Sequence, residues 1–136
     1  MVVHLEDIPI DAADLTWRAA LSALGRKAED LVILDVRELV SYAQFFIICH
    51  GHSSRQVSAI AEAVRSDLKA QADEVPLGIE GLETGRWVLV DYGDLVVHVF
   101  DEHLRRFYDL EALWIDAPRV PVPETARPGD AAPAFA

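Results

Sequence analysis

Little in this sequence is suited to crosslinking, to crossing a bilayer or to gripping a phosphate backbone. A single cysteine, Cys49, among 136 residues rules out an internal disulfide and makes a reducing cytoplasm the expected setting. No apolar run approaches the ~20 residues that span a membrane. The N-terminal stretch "MVVHLEDIPIDAADL" lacks the basic segment and long apolar core of a secretory leader. Bases are scarce: 12 Lys and Arg stand against 23 Asp and Glu, a formal net charge of −11. The shortage is sharpest over residues 71–116, where Arg86, Arg105 and Arg106 are outnumbered by eleven acids. Such a surface repels nucleic acid, which is normally held by Lys and Arg, and attracts a basic partner. Neither membrane association nor direct nucleic-acid binding is expected.

What is present suffices for a core. Apolar residues make up 51% of the chain, and its length fits one domain. Residues 14–28 put Trp17, Leu21, Leu24 and Ala28 at helical spacing, with Asp11 or Asp14 as a cap and Gly25 weakening the last turn. "DLVILDV" (30–36) and "FFIICH" (45–50) read as strands. After Ser53 or Ser54 as N-cap, Val57, Ala61, Val64 and Leu68 form an apolar helical stripe. Residues 74–85, with Pro76 and three glycines, read as a loop. Two strands flank Tyr92-Gly93, and residues 101–114 read as a helix capped by Asp101 and broken near Asp109. The expected organisation is an N-terminal extension (1–13), an α/β domain (14–116) and a flexible Pro/Ala-rich tail (117–136). The order αββαββα implies a single mixed sheet flanked by helices.

The stretch "RWVLVDYGDLVVHVF" (86–100) predicts a hairpin with a two-residue loop at Tyr92-Gly93 or Gly93-Asp94. Either loop gives the same two faces, because side chains alternate along a strand. Trp87, Leu89, Asp91, Val96, His98 and Phe100 share one face. Val88, Val90, Leu95, Val97 and Val99 share the other and belong to the core. A strand tryptophan is commonly core, but beside a His and an Asp it also suits an interface anchor.

No catalytic constellation assembles. Asp91 and Asp94 are separated by a turn, where acids are ordinary. His98 has no His or Cys at ligand spacing, so neither metal nor cofactor is expected. "GHSSRQ" sets Gly51, Ser53 and Ser54 before a helix, where amides hold anions, but it lacks the Lys and glycine spacing of a phosphate loop. Asp35 is either a strand-end residue or a partner for Arg55.

Four segments in order, "GHSSRQVSAIAEAV", "PLGIEG", "WVLVDYGDLVVHVF" and "RRFYDLEALW", resemble the ribosomal silencing factor family, also called Iojap-related, over residues 14 to 118. His52 and Gln44 depart from that family's usual Thr and acid. The resemblance implies a nucleotidyltransferase-like fold without the catalytic carboxylates, and hence no enzyme. It further implies a homodimer that binds the large ribosomal subunit through ribosomal protein L14. There it blocks association with the small subunit and represses translation. Carried onto matching positions, it implies a docking surface with Trp87 and Tyr108, joined by Asp91, Asp94 and Glu111. Phe45 or Ile47, on an outer face, would suit the dimer contact. A role in large-subunit assembly, and residual nucleotide binding at Gly51–Arg55, are the alternatives.

Overall fold

The computed structural model describes residues 12–122. Helix α1 (Ala12–Gly25) buries Leu15, Ala19, Ala20 and Ala23. Asp14 lies inside its first turn, paired with Arg18 at 2.9 Å; Asp11, the other cap candidate, lies outside the described residues. Lys27, at φ 63, turns the chain back into β1 (Glu29–Asp35). Strand β2 (Phe45–Gly51) pairs antiparallel with β1, and helix α2 (Ser54–Ala72) follows. Ser53 caps α2, its side chain accepting from the Gln56 amide at 3.1 Å, and Asp73 in the left-handed region ends it.

Strands β3 (Gly78–Glu80), β4 (Trp87–Asp91) and β5 (Leu95–Asp101) form an antiparallel meander. Then come α3 (Glu102–Tyr108), α4 (Leu110–Leu113) and β6 (Arg119–Val120). Asp109 holds φ 44 between the two short helices, which is where the break was expected. The six-stranded sheet has the order β3-β4-β5-β2-β1-β6. It is mixed, since β2 and β5 run parallel at its centre while the other pairs are antiparallel.

The hairpin loop is Gly93-Asp94. Tyr92 donates to the Leu95 carbonyl at 2.8 Å, and the register pairs Trp87 with Phe100, Leu89 with His98 and Asp91 with Val96. Gly93 has φ 88, the positive value that the first position of a type II′ turn requires. Side-chain alternation then produces the two expected faces. Val88, Val90, Leu95, Val97 and Val99 are sealed in the core under α1 and α2, with Ile33, Phe45, Ile47, Val57, Ile60 and Leu68. Val96 and Phe100 join a second cluster with Phe46, Ile48 and Leu34, flanked by Trp87, Leu89, Leu104, Leu110 and Trp114.

Three expectations change. The loop at 74–85 contains β3, because Ile79 pairs with Val90 on the edge of the hairpin. The sheet also runs past residue 116, where the tail was expected to begin. Ala117 is buried, the Asp35 amide donates to the Pro118 carbonyl at 2.8 Å, and Val120 pairs with Ile33. Phe45 and Ile47 are buried beneath the helices and offer no outer face. Of the two readings of Asp35 the strand-end one holds: it closes β1 and pairs with Arg37 at 2.6 Å rather than with Arg55. The rest of the tail (123–136) and residues 1–11 of the extension lie outside the described residues.

Candidate docking surface

The second face of the sheet is only partly covered, because α3 and α4 together are too short to roof it. Trp87, at the start of β4, is half-buried there. Its ring stacks on Phe100 (centroids 4.8 Å apart, 27° between planes) and meets the Tyr108 ring at 5.0 Å. The backbone break at Asp109 leaves Tyr108, the last residue of α3, about half exposed beside Phe107, which is 79% exposed. The structure therefore brings together the two aromatic residues of the expected surface. Phe107 was not anticipated; its only sequence signal is its position next to Tyr108.

The indole N–H of Trp87 donates to His98 Nδ1 at 3.2 Å. His98 is buried, its ring edge-on to Phe46 at 5.5 Å, and burial pushes its pKa down to about 4. The imidazole is thus neutral near pH 7, with Nδ1 as acceptor and the proton on Nε2. It does not titrate at neutrality. It fixes the tryptophan.

The three acids are placed differently. Asp91 Oδ1 accepts from the Gly93 amide at 2.7 Å and shapes the turn. Asp94 is exposed at the hairpin tip, its carbonyl receiving the Gln44 and Phe45 amides at 2.7 and 3.0 Å. Asp91 ends β4, roughly 13 Å from Trp87 at ~3.3 Å per residue, and Asp94 lies beyond it in the loop. Glu111 is engaged internally: it pairs with Arg105 at 2.9 Å and faces Arg119 at 3.8 Å. Arg105 is buried and needs that carboxylate. Of the three, Asp94 and the rim of Asp91 are free to meet a basic group.

A polar cleft of about 520 Å³ opens where β2 and β5 end, lined by His50, Glu102, Arg105, Glu111 and Arg119 among others. The C-terminal ends of parallel strands are a common ligand site in α/β folds. Here the groups bind one another. Arg105 reaches His50 Nδ1 at 2.9 Å and the Glu29 carbonyl at 3.2 Å. His50, desolvated and next to that guanidinium, has its pKa lowered. His52 bonds Glu29 at 2.7 Å and faces Glu102 at 3.4 Å, and the Glu29 hydrogen bond raises its pKa.

The "GHSSRQ" turn is likewise occupied from within. Gln56 Oε1 accepts from the His52 amide at 2.7 Å while its Nε2 donates to the Lys27 carbonyl at 3.1 Å. The glutamine ties α2 to the end of α1, and the turn's amides serve the fold. No group of three or more His, Cys, Asp or Glu able to hold a metal occurs among the described residues. Cys49 is fully buried, which pushes its pKa to about 12 and keeps it a thiol. No described helix is long and apolar enough to cross a membrane.

Known proteins resemble this chain along most of its length. The family described as "Ribosomal silencing factor during starvation" matches residues 9–135, further in both directions than the four motifs reach. The ribosomal silencing factor of Bacillus subtilis is 47% identical over 103 residues, covering 74% of this chain and 84% of the relative. The chloroplastic Iojap protein of Zea mays is 35% identical over 115 residues, 83% of this chain and 50% of that protein. The crystal structure of CV0518 from Chromobacterium violaceum superposes with a TM-score of 0.76 at 37% identity, covering 88% of this chain and 98% of the other. A Bacillus halodurans crystal structure gives 0.71 at 40% identity, over 79% of this chain and 97% of that one. The α/β architecture with its mixed sheet is thus shared with solved relatives, and the chain belongs to the ribosomal silencing factor family.

Proposed function

We propose that this protein is a translational repressor that occupies the large ribosomal subunit in the cytoplasm, docks on ribosomal protein L14 and obstructs the small subunit. The observation that carries this reading is the open aromatic face: Trp87 held by His98 and Phe100, with Tyr108 5.0 Å away and Phe107 beside it. Large rigid aromatics around one centre are typical anchors of protein interfaces. The net charge of −11 favours encounter with a basic ribosomal protein. A standard interface of ~800 Å² per partner needs only one or two such anchors. Obstruction requires occupancy and no turnover. The protein acts as a homodimer in this reading, with the aromatic face left free on each copy.

The experiment is co-sedimentation with purified large subunits, followed by addition of small subunits. The wild-type chain lowers the yield of joined ribosomes. Trp87→Ala loses on the order of thirtyfold in affinity, equivalent to ~2 kcal/mol, and Tyr108→Ala weakens binding as well. Joining blocked by Trp87→Ala at wild-type concentrations contradicts the docking face.

A second reading has one observation behind it. The mouse "Mitochondrial assembly of ribosomal large subunit protein 1" is 31% identical over 90 residues, 64% of this chain and 39% of that protein. In that reading the same surface engages an immature large subunit. Precursor particles accumulating in a deletion strain under rich growth, with subunit joining unaffected, distinguish it from repression.

A further inference from the structure

Beside Trp87, between the hairpin and α4, the open face has a groove of about 400 Å³. Tyr42, Phe46, Leu89 and Trp114 line it, and Leu77, 78% exposed, stands at its rim. One imidazole lies among these side chains: His98, only 7% exposed. Its Nδ1 is taken by the Trp87 indole, so its proton sits on Nε2. No hydrogen bond links that Nε2–H to another described residue. The groove thus presents a largely apolar wall with an unbonded imidazole N–H among its few polar groups.

We propose that this groove takes an apolar segment of a basic partner, one of whose main-chain carbonyls accepts from His98 Nε2–H. The inference rests on the docking reading above and names what the partner inserts next to Trp87. Charge chooses the occupant. Asp91 lines the groove, Asp94 stands beside it at the hairpin tip, and no Lys or Arg lines it. A second copy of this chain brings a charge of −11 to the same acidic rim, whereas flanking Lys or Arg on the segment complements it. A neutral imidazole next to Asp91 suits an uncharged carbonyl better than a carboxylate. Trp87 is then the anchor, and the groove supplies register and direction.

The test uses full-length protein, purified large subunits and four substitutions, Trp87→Ala among them, with melting temperature and sedimentation velocity measured on each. Leu77→Lys alters an exposed rim residue and places a cation against the basic partner. It is expected to weaken subunit binding about tenfold, with the fold intact. His98→Phe keeps an aromatic ring but removes both the Nε2–H donor and the Nδ1 acceptor of the Trp87 indole; it is expected to weaken binding about fivefold. His98→Gln, which retains an N–H, binds more tightly than His98→Phe. If Leu77→Lys and His98→Phe bind as wild type while Trp87→Ala loses its thirtyfold, the groove is empty in the complex and the inference is overturned, with the docking reading intact. If Trp87→Ala itself binds as wild type, the docking reading fails and this inference falls with it. If Leu77→Lys dissociates a dimer and leaves subunit binding unchanged, the occupant is a second copy and the inference is again overturned.

Discussion

One face of the sheet is closed under α1 and α2, and every hairpin residue on it is an aliphatic side chain with no exposure: Val88, Val90, Leu95, Val97 and Val99. The opposite face carries a tryptophan, a histidine and phenylalanines, and around it Tyr42, Leu77, Phe107 and Tyr108 remain exposed to between 48% and 79%. The same two strands supply both faces. The closed side gains its stability by removing apolar area from water, at about 25 cal/mol per Å². The open side forgoes part of that gain by leaving aromatic surface wet, which monomeric proteins rarely do over a contiguous area without a partner. Stability is thus concentrated on one face, and the other is left open for the docking proposed above.

Substitutions on the closed face break this division most visibly. Leu68, fully buried on α2, packs under the sheet; Leu68→Ala is expected to cost about 3 kcal/mol, measured by urea denaturation. Subunit affinity per folded molecule stays unchanged, and a matching loss of affinity would erase the distinction between the faces.

Acid tests the open face through His98. The unfolded chain takes up this proton near pH 6.5, the folded chain only near 4. Native stability from the neutral ring is therefore complete above about pH 6.5 and lost as pH falls towards 4, on the order of 3 kcal/mol in all. His50, also lowered, acts in the same direction. His52 acts oppositely: its pKa is raised by Glu29, so its contribution is present at low pH and lost as pH rises through the folded value. Comparing wild type with His98→Phe between pH 7 and 4 isolates the first effect. Parallel stability curves contradict the assignment. The smallest effect lies on the outer surface of α2, where Arg65 pairs with Glu62 at 2.6 Å in full view of solvent. Arg65→Ala is expected to change stability by less than ~0.5 kcal/mol and affinity not at all.

The hairpin and its two faces were legible in the sequence because a period of two and one glycine leave few choices. That Trp87 and Tyr108 lie together was suggested by family motifs alone, since no local pattern separates a tryptophan at an open face from one in a core. The strands β3 and β6 were not legible. Three and two residues carry no periodicity, and each exists only because a neighbouring strand offers an unpaired edge. Glu111 looked like a surface acid because nothing in the sequence reveals that Arg105, six positions earlier, is buried and holds it. The Trp87–His98 bond follows from the register, which sets the two on the same face as diagonal neighbours. That register was one of two open alternatives.

The central claim is that Trp87 anchors this protein to the large subunit, and titrating purified large subunits with wild type and Trp87→Ala tests it most directly. The account predicts a loss of roughly thirtyfold in affinity in a variant that still unfolds cooperatively. Equal affinities for a folded Trp87→Ala contradict it.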